Sequence, residues 1–150
     1  MTNPTPSRPT PTSPTPKPAP PAPPLDARGL PVGYPFKPDW EATPRETKRL
    51  RESAGEHAFV LLDCRRPEEW QATHIDGATH IPMADIERRA EELEADDGSR
   101  STPIVVHCHH GMRSLKVTAT LRALGFTNVR SMAGGIDLWS VDIDSHVPRY

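Results

Sequence analysis

Apolar residues between Trp40 and Tyr150 are grouped in short runs that alternate with longer segments in which apolar and charged positions are mixed. The short runs predict β-strands, and the segments with apolar residues three or four positions apart predict helices. The predicted strands span residues 40–42, 58–62, 78–81, 104–106 and 128–132, and the predicted helices begin at Pro44, Pro67 and Ile86 and span 113–124 and 135–140. Strands and helices in alternation predict an α/β domain with a central, mainly parallel five-stranded sheet and helices on both faces.

Local signals predict where several of these helices begin and end. Thr43 and Glu46 form a capping pattern around Pro44, a residue that favours the first turn of a helix. Asp85 is predicted to cap the helix that follows it, and Gly125 to end the helix that precedes it. These signals do not depend on the apolar pattern, so they support the same elements independently.

Composition divides the chain into three parts. Of the 19 prolines, 11 lie in residues 1–24, which contain too few apolar residues to bury a core. We therefore expect residues 1–24 to form a disordered, proline-rich arm that favours extended polyproline-II conformations. Residues 25–39 are predicted to be an irregular extension, and residues 40–150 to be the folded domain.

The charge distribution narrows the range of partners. The formal net charge is −2, and the arm carries Arg8 and Lys17 but no acid, so the acidic excess lies in the rest of the chain. This balance excludes the broad basic surface typical of nucleic-acid-binding proteins. The longest apolar run covers residues 58–62, whereas a membrane-spanning helix needs about 20 apolar residues. We therefore expect no nucleic-acid partner and no membrane partner, and the oligomeric state stays open.

The cysteines indicate the cellular compartment. Cys64 and Cys108 are too few for a disulfide framework, and their sequence surroundings differ. The N-terminal residues also lack the apolar run of about 7–15 residues that a secretory signal needs. A reducing cytoplasm is therefore the expected location, and there a single reactive cysteine has a chemical use.

Cys108 stands where a buried strand ends and a short loop leads into a helix. The working groups of parallel sheets gather beyond the carboxyl ends of the strands. Backbone N–H groups of such a loop form a concave anion site, and the helix N-terminus adds positive potential. Both favour a thiolate, which makes Cys108 the candidate nucleophile. Gly111 permits a tight turn, and Arg113 carries a planar guanidinium suited to a carboxylate or an oxyanion.

Three separated blocks of the sequence carry a family resemblance. Residues 108–114 read Cys-His-His-Gly-Met-Arg-Ser, a cysteine and an arginine with four residues between them, followed by serine. Residues 63–82 include Asp-Cys-Arg-Arg-Pro-Glu-Glu-Trp and His-Ile-Asp-Gly-Ala-Thr-His-Ile-Pro, and residues 132–139 read Met-Ala-Gly-Gly-Ile-Asp-Leu-Trp. With these blocks in order, residues 40–150 resemble the rhodanese-like sulfurtransferases, although Thr73 stands where that family often has a small residue.

The resemblance implies a rhodanese-like three-layer fold and a sulfur-transfer reaction. Cys108 would take the outer sulfur of thiosulfate or of a persulfide donor and carry it as a persulfide, until cyanide, a thiol or a protein cysteine removes it. The residues implied to form the persulfide loop are His109, His110, Gly111, Met112, Arg113 and Ser114. Their N–H groups would hold the anion and Arg113 would fix the loop, so no metal or organic cofactor is needed.

The side chains of the loop indicate which donor it prefers. No lysine or arginine lies among residues 109–112, so little side-chain charge is available to attract a small dianion before Arg113. We therefore expect weak turnover of thiosulfate and better turnover of a protein or thiol persulfide.

Two other classes of function stay open at the level of the sequence. One is a non-catalytic rhodanese-type module that binds a partner or senses sulfur, but the intact Cys108 and Arg113 favour catalysis. The other is a phosphatase or an arsenate reductase. Cysteine-dependent phosphatases with a similar sheet place five residues between the cysteine and the arginine, whereas this chain has four.

Charged residues follow the second predicted strand. The resemblance implies that Asp63, Arg65 and Glu69 form an ion-pair network that supports the Cys108 loop, with Glu69 or Asp63 reaching Arg113. Ordinary surface charge is the alternative interpretation. In either case these residues would act as scaffold and not in the chemistry.

Several side chains near the loop have two interpretations. Cys64 is either a buried substitute for an apolar residue or, because the family's strand order places it beside Cys108, a redox partner that forms a disulfide with Cys108. His109 and His110 are either acid–base groups or exposed loop residues whose backbone matters more than their rings. A metal site is not expected, because adjacent ligands rarely converge on one ion.

Two further motifs are given structural interpretations. Gly134-Gly135 predicts the tight turn before the last helix and not a phosphate loop. Trp70 and Trp139 are interpreted as core side chains of the helices that contain them.

Overall fold

The computed structural model describes residues 17–55 and 58–150. Most of the predicted proline-rich arm, residues 1–16, therefore lies outside the described residues. Residues 17–24 form neither helix nor strand. Among the helices within the described ranges, none combines the length and the apolar composition needed to cross a membrane.

Five parallel strands form the central sheet, in the order β1–β5–β4–β2–β3. The strands are β1 Glu41–Ala42, β2 Val60–Asp63, β3 Thr79–His80, β4 Ile104–His107 and β5 Val129–Met132. The helices are α1 Pro44–Ser53, α2 Pro67–Ala72, α3 Ile86–Arg89, α4 Met112–Ala123 and α5 Gly135–Asp142, with 3₁₀ turns at Met83–Asp85 and Ala90–Leu93. The predicted α/β class and the predicted five-stranded parallel sheet are confirmed.

Successive side chains of a strand point to opposite faces of the sheet, and those of the central strands are buried on both faces. Two apolar layers result, one on each face. The first layer includes Leu62, Val106, Val117 and Leu121, and the second includes Leu61, Val105, Ile136 and Trp139. Helices therefore cover both faces, and the prediction that Trp139 belongs to the core is confirmed.

The register of the two central strands brings the cysteines side by side. In β2 and β4, Asp63 lies opposite His107. The next residues along the two strands are Cys64 and Cys108, and the N–H of Cys64 donates to the carbonyl of His107 at 3.1 Å. Both cysteines thus leave the sheet together at its carboxyl edge.

The predicted helix caps have different outcomes. The Thr43 hydroxyl accepts the N–H of Glu46 at 3.0 Å, and the Glu46 carboxylate accepts the N–H of Thr43 at 2.9 Å, so this capping box is confirmed. The prediction that Asp85 caps a helix is wrong. Asp85 ends a 3₁₀ turn with φ −103° and ψ −2°, whereas a capping residue needs an extended backbone. Its carboxylate instead pairs with Arg88 at 3.2 Å.

The prediction that Trp70 belongs to the core is also wrong. The helix that carries it, α2, contains no buried residue. The indole is stacked between the imidazoles of His74 and His80, with ring centroids 3.9 and 4.7 Å away. The Trp70 side chain is therefore covered by these two rings and belongs to neither apolar layer.

The irregular extension, residues 25–39, packs against the domain. Leu30 is fully buried and joins Ala133 and Leu138 in a third, small apolar cluster. Tyr34 packs against the same cluster. The extension therefore covers part of the chain between β5 and α5, close to the loop that follows β4.

Candidate active site

Cys108 lies directly after β4, and its side chain is only 1% exposed. Its Sγ accepts the backbone N–H of Gly111 at 3.1 Å and that of Ser114 at 3.4 Å, and the Ser114 hydroxyl oxygen lies 3.4 Å away. Gly111 adopts φ +110°, a left-handed conformation that side-chain-bearing residues rarely adopt. The loop therefore turns back so that its N–H groups reach the sulfur.

The sulfur of Cys108 occupies the position of a helix-capping acceptor. Helix α4 begins at Met112, and its N-cap residue Gly111 has no side chain with which to cap it. The third N–H of the helix, that of Ser114, is the one that a capping side chain normally accepts, and here it reaches Sγ. Negative charge on this sulfur lies at the positive end of the helix dipole, which stabilises it.

Two buried serines support the turn behind the sulfur. The Ser114 hydroxyl donates to the carbonyl of Gly111 at 3.2 Å and lies 2.7 Å from the hydroxyl of Ser131 in β5. Both serines are fully buried. Ser131 was not predicted as a site residue. The sequence of β5 does not indicate that this side chain faces Ser114 at the start of α4.

Arg113 is bound to Glu69. Its two terminal nitrogens donate to the two carboxylate oxygens of Glu69 at 2.7 and 3.0 Å, which is a bidentate ion pair. This pair ties the end of the loop to α2. Of the two acids that the sequence offered as partners, the structure brings Glu69 to Arg113 and places Asp63 elsewhere.

Asp63 and Arg65 form a fully buried ion pair beside the loop. Nη2 of Arg65 donates to Asp63 Oδ2 and to the carbonyl of Thr73, both at 2.7 Å. Burial alone would raise the pKa of the Asp63 carboxyl, but the hydrogen bonds from Arg65, with nearby positive charge, hold it below its usual range. Breaking such a pair leaves a buried charge without its partner, so the pair fixes the end of β2.

The Glu69–Arg113 pair predicts a pH dependence of stability. The hydrogen bond from Arg113 is the main cause that lowers the pKa of Glu69 from 4.5 to about 2. A carboxyl whose pKa is lowered by folding adds stability above its unfolded pKa and loses it as pH falls through the folded value. We expect Glu69→Gln to destabilise the protein at neutral pH and progressively less below about pH 4.5. Urea unfolding of both proteins at neutral pH and at about pH 3 measures this, and an unchanged difference contradicts it.

The two loop histidines occupy different surroundings. The His109 ring is half-buried, and its Nε2 is buried without a hydrogen-bond partner among the described residues. Burial lowers the pKa of His109, so its imidazole is neutral at neutral pH. His110 is exposed and lies 3.9 Å from a carboxylate oxygen of Asp137. Within the described part of the chain, neither ring hydrogen-bonds to the sulfur of Cys108.

Gly135 allows α5 to approach the loop. The N–H of Ile136 donates to the carbonyl of Cys108 at 2.9 Å, and that of Asp137 to the carbonyl of His109 at 3.2 Å. A Cβ on Gly135 would lie 2.5 Å from the carbonyl oxygen of Cys108 and closer still to that of His109. The predicted tight turn is therefore also the contact that holds the loop from its far side.

Cys64 is 1% exposed and packs in the same apolar layer as Cys108. Burial is the main cause that raises the pKa of the Cys64 thiol. Both cysteines are free thiols here, so a disulfide between them stays a prediction for the oxidised protein. Across the described residues, no group of three or more His, Cys, Asp or Glu side chains is placed to hold a metal ion.

Several proteins that are similar to this chain are named as sulfurtransferases. The adenylyltransferase and sulfurtransferase UBA4 of Candida albicans is 30% identical over 119 residues, 77% of this chain and 27% of the relative. The thiosulfate sulfurtransferase GlpE of Pseudomonas fluorescens is 35% identical over 98 residues, 64% of this chain and 80% of the relative. The structure of the human single-domain sulfurtransferase TSTD1 has a TM-score of 0.59 and 28% identity, and the match covers 68% of this chain and 96% of that one.

The chain spans about a quarter of the length of the relatives that are named for both adenylyltransferase and sulfurtransferase. A family model described as the rhodanese-like domain matches residues 43–142, which contain α1, the strands β2 to β5 and the Cys108 loop. The predicted resemblance is confirmed, and the chain belongs to the rhodanese-like family.

Proposed function

We propose that this protein is a sulfurtransferase that moves sulfane sulfur through a persulfide on Cys108. The observation that carries the proposal is the position of the Cys108 sulfur, which accepts the N–H groups of Gly111 and Ser114 at the start of α4. The same groups are suited to a sulfur anion one atom longer. Relatives named as thiosulfate sulfurtransferases support the same reaction class.

The first half of the cycle loads the sulfur. The Cys108 thiolate attacks the outer sulfur of the donor, so a new S–S bond forms while the donor's own S–S bond breaks. Thiosulfate would leave as sulfite, and an alkyl persulfide would leave as a thiolate. The negative charge remains within the loop as the Cys108 persulfide, facing the N–H groups that held the thiolate.

The second half of the cycle delivers the sulfur. A nucleophilic acceptor, such as a thiolate or cyanide, attacks the terminal sulfur of the persulfide and takes it as a new persulfide or as thiocyanate. The electron pair of the broken bond returns to Cys108 as the thiolate. Neither half needs a net oxidant, and the charge stays at the N-terminus of α4 throughout.

The charges around the loop favour a persulfide donor over thiosulfate. Among the described residues, three guanidinium groups near the loop are bound to carboxylates. These pairs are Arg113 with Glu69, Arg65 with Asp63, and Arg149 with Asp137. The attraction that the site offers to an anion therefore comes mainly from backbone N–H dipoles. Such dipoles suit one terminal sulfur, whereas the sulfonate group of thiosulfate would find the guanidinium groups of Arg65, Arg113 and Arg149 already paired with carboxylates.

Comparison of two donors tests the proposal. We expect kcat/KM with glutathione persulfide to exceed that with thiosulfate by about tenfold or more, mainly through a lower KM, because a tenfold ratio needs only about 1.4 kcal/mol. Dithiothreitol serves as the sulfur acceptor, and the rate of sulfide release measures the transfer. Met112→Arg serves as the matched variant, since Met112 is 76% exposed and the new cation should lower the KM for thiosulfate. If the protein transfers sulfur from neither donor, the proposal is wrong.

The phosphatase and arsenate reductase alternatives find less support. Four residues separate Cys108 from Arg113, and the N–H groups of Gly111 and Ser114 lie within 3.4 Å of the sulfur. The loop thus closes around one sulfur atom. A non-catalytic module would show no turnover in the same donor comparison, and a phosphatase would hydrolyse an aryl phosphate instead.

A further inference from the structure

Tyr150 contacts the Cys108 loop through its ring, and its hydroxyl contacts two side chains that support the loop. The ring stacks on the imidazole of His109, with centroids 3.9 Å apart and planes 5° apart. The hydroxyl donates to Oε1 of Glu69 at 2.9 Å and accepts from Nη1 of Arg65 at 2.9 Å. Tyr150 thus links the buried ion pair of β2 to the carboxylate that binds Arg113.

The segment that carries Tyr150 lies outside the residues matched by the family model and is anchored to the domain. Val147 is buried in the apolar layer that contains Trp139. Arg149 donates to the two carboxylate oxygens of Asp137 at 2.9 and 3.2 Å. Because these contacts precede Tyr150 directly, the ring is brought to the loop by an ordered backbone.

The contacts of Tyr150 meet the loop at both of its ends. His109 follows Cys108 directly, and Arg113 reaches Tyr150 through Glu69, whose Oε1 accepts from both side chains. Between these two points lies Gly111, and Ser114 follows immediately. The N–H of Gly111 therefore lies within the segment that Tyr150 holds at His109 and, through Glu69, at Arg113, and the N–H of Ser114 lies directly after that segment.

We propose that Tyr150 is a positioning residue for the Cys108 loop, fixing His109 by ring stacking and Arg113 through Glu69. The inference rests on the proposed function, because the aim of the N–H groups matters most when the sulfur carries charge in the transition state. Among the described residues, the hydrogen bonds to the sulfur involve Gly111 and Ser114 and not Tyr150, so Tyr150 takes no part in the bond changes. Its loss should lower kcat while the KM for the donor stays nearly unchanged.

Two substitutions separate the hydroxyl from the ring. Tyr150→Phe keeps the stack on His109 but removes the hydrogen bonds to Glu69 and Arg65, and we expect kcat to fall about three- to tenfold. Tyr150→Leu removes both contacts, and we expect a fall of about ten- to a hundredfold. In each case we expect the KM for glutathione persulfide to stay within about twofold of the wild-type value.

The experiment measures kcat and KM together with amide hydrogen exchange at Gly111 and Ser114, in the full chain without donor. His146→Ala is the matched control, because His146 lies in the same segment and its exposed side chain contacts Asp144. Support consists of faster exchange at both amides and a lower kcat in the Phe variant, larger effects in the Leu variant, and neither effect in the control. If the Leu variant does not fold, the Phe variant decides alone.

The outcomes distinguish this inference from the proposed function. Wild-type exchange and wild-type kcat in Tyr150→Phe and Tyr150→Leu overturn the role of Tyr150, while transfer by the wild-type protein keeps the proposed function. If the wild-type protein transfers no sulfur, the proposed function fails. Exchange at Gly111 and Ser114 then still decides whether Tyr150 positions the loop.

Discussion

Cys108→Ser is expected to lower kcat/KM for sulfur transfer by more than about 10⁴-fold, the scale of loss seen when a covalent nucleophile is removed. A serine hydroxyl at this position would meet the same N–H groups of Gly111 and Ser114. Those groups stabilise an anion, but a hydroxyl does not ionise near neutral pH in the way that a thiol does. The serine oxygen also offers no sulfur on which a persulfide can form.

Cys64→Val is the control for this substitution. Cys64 is buried in the apolar layer beside Leu62 and Val106, where a valine of similar size fits. We expect this variant to keep its fold and a rate within about threefold of the wild-type rate. If transfer survives in Cys108→Ser, or disappears in a folded Cys64→Val, Cys108 is not the nucleophile that we propose.

Gly135→Ala is expected to have the second largest effect, lowering the free energy of unfolding by about 2–4 kcal/mol and removing most of the activity. The added Cβ would lie 2.5 Å from the carbonyl oxygen of Cys108, and Gly135 has φ +61°. Either α5 or the loop must move to relieve this contact, which breaks the hydrogen bond from Ile136 to Cys108. Urea unfolding and the sulfur-transfer rate measure the two effects.

Gly33→Ala separates the steric contact from backbone strain. Gly33 also has a positive φ, +83°, but a Cβ there meets nothing within 4 Å. This variant should lose only about 1 kcal/mol and keep its activity. If Gly135→Ala is no more destabilised than Gly33→Ala, the close approach of α5 to the Cys108 loop is not important for the fold.

Elements with strong local signals were predictable from the sequence. The apolar run at 104–106 predicts β4, and the Thr43–Glu46 pattern predicts the start of α1, because both depend on residues close together in the chain. Asp85 and Trp70 were misassigned because their environments depend on distant structure. A preceding 3₁₀ turn sets the backbone of Asp85, and two imidazoles cover Trp70.

In the candidate site, too, features that depend on nearby residues were predictable and features that depend on distant residues were not. The spacing of Cys108 and Arg113 predicts one continuous loop. In the structure, N–H groups of that loop donate to the Cys108 sulfur. The contacts that hold the loop come from elsewhere: Glu69 in α2, Gly135 at the start of α5, and Tyr150. The resemblance suggested Glu69. For Gly135 and Tyr150 no local pattern indicates a partner, since only the folded chain brings them to the loop.

Peptide mass spectrometry after a single incubation with glutathione persulfide tests the central claim most directly. The wild-type protein and Cys64→Val should each gain one sulfur atom on the peptide that contains Cys108, and dithiothreitol should remove it. Cys108→Ser should gain none. Sulfur found on the Cys64 peptide, or no added sulfur on the wild-type protein, would contradict a Cys108 persulfide.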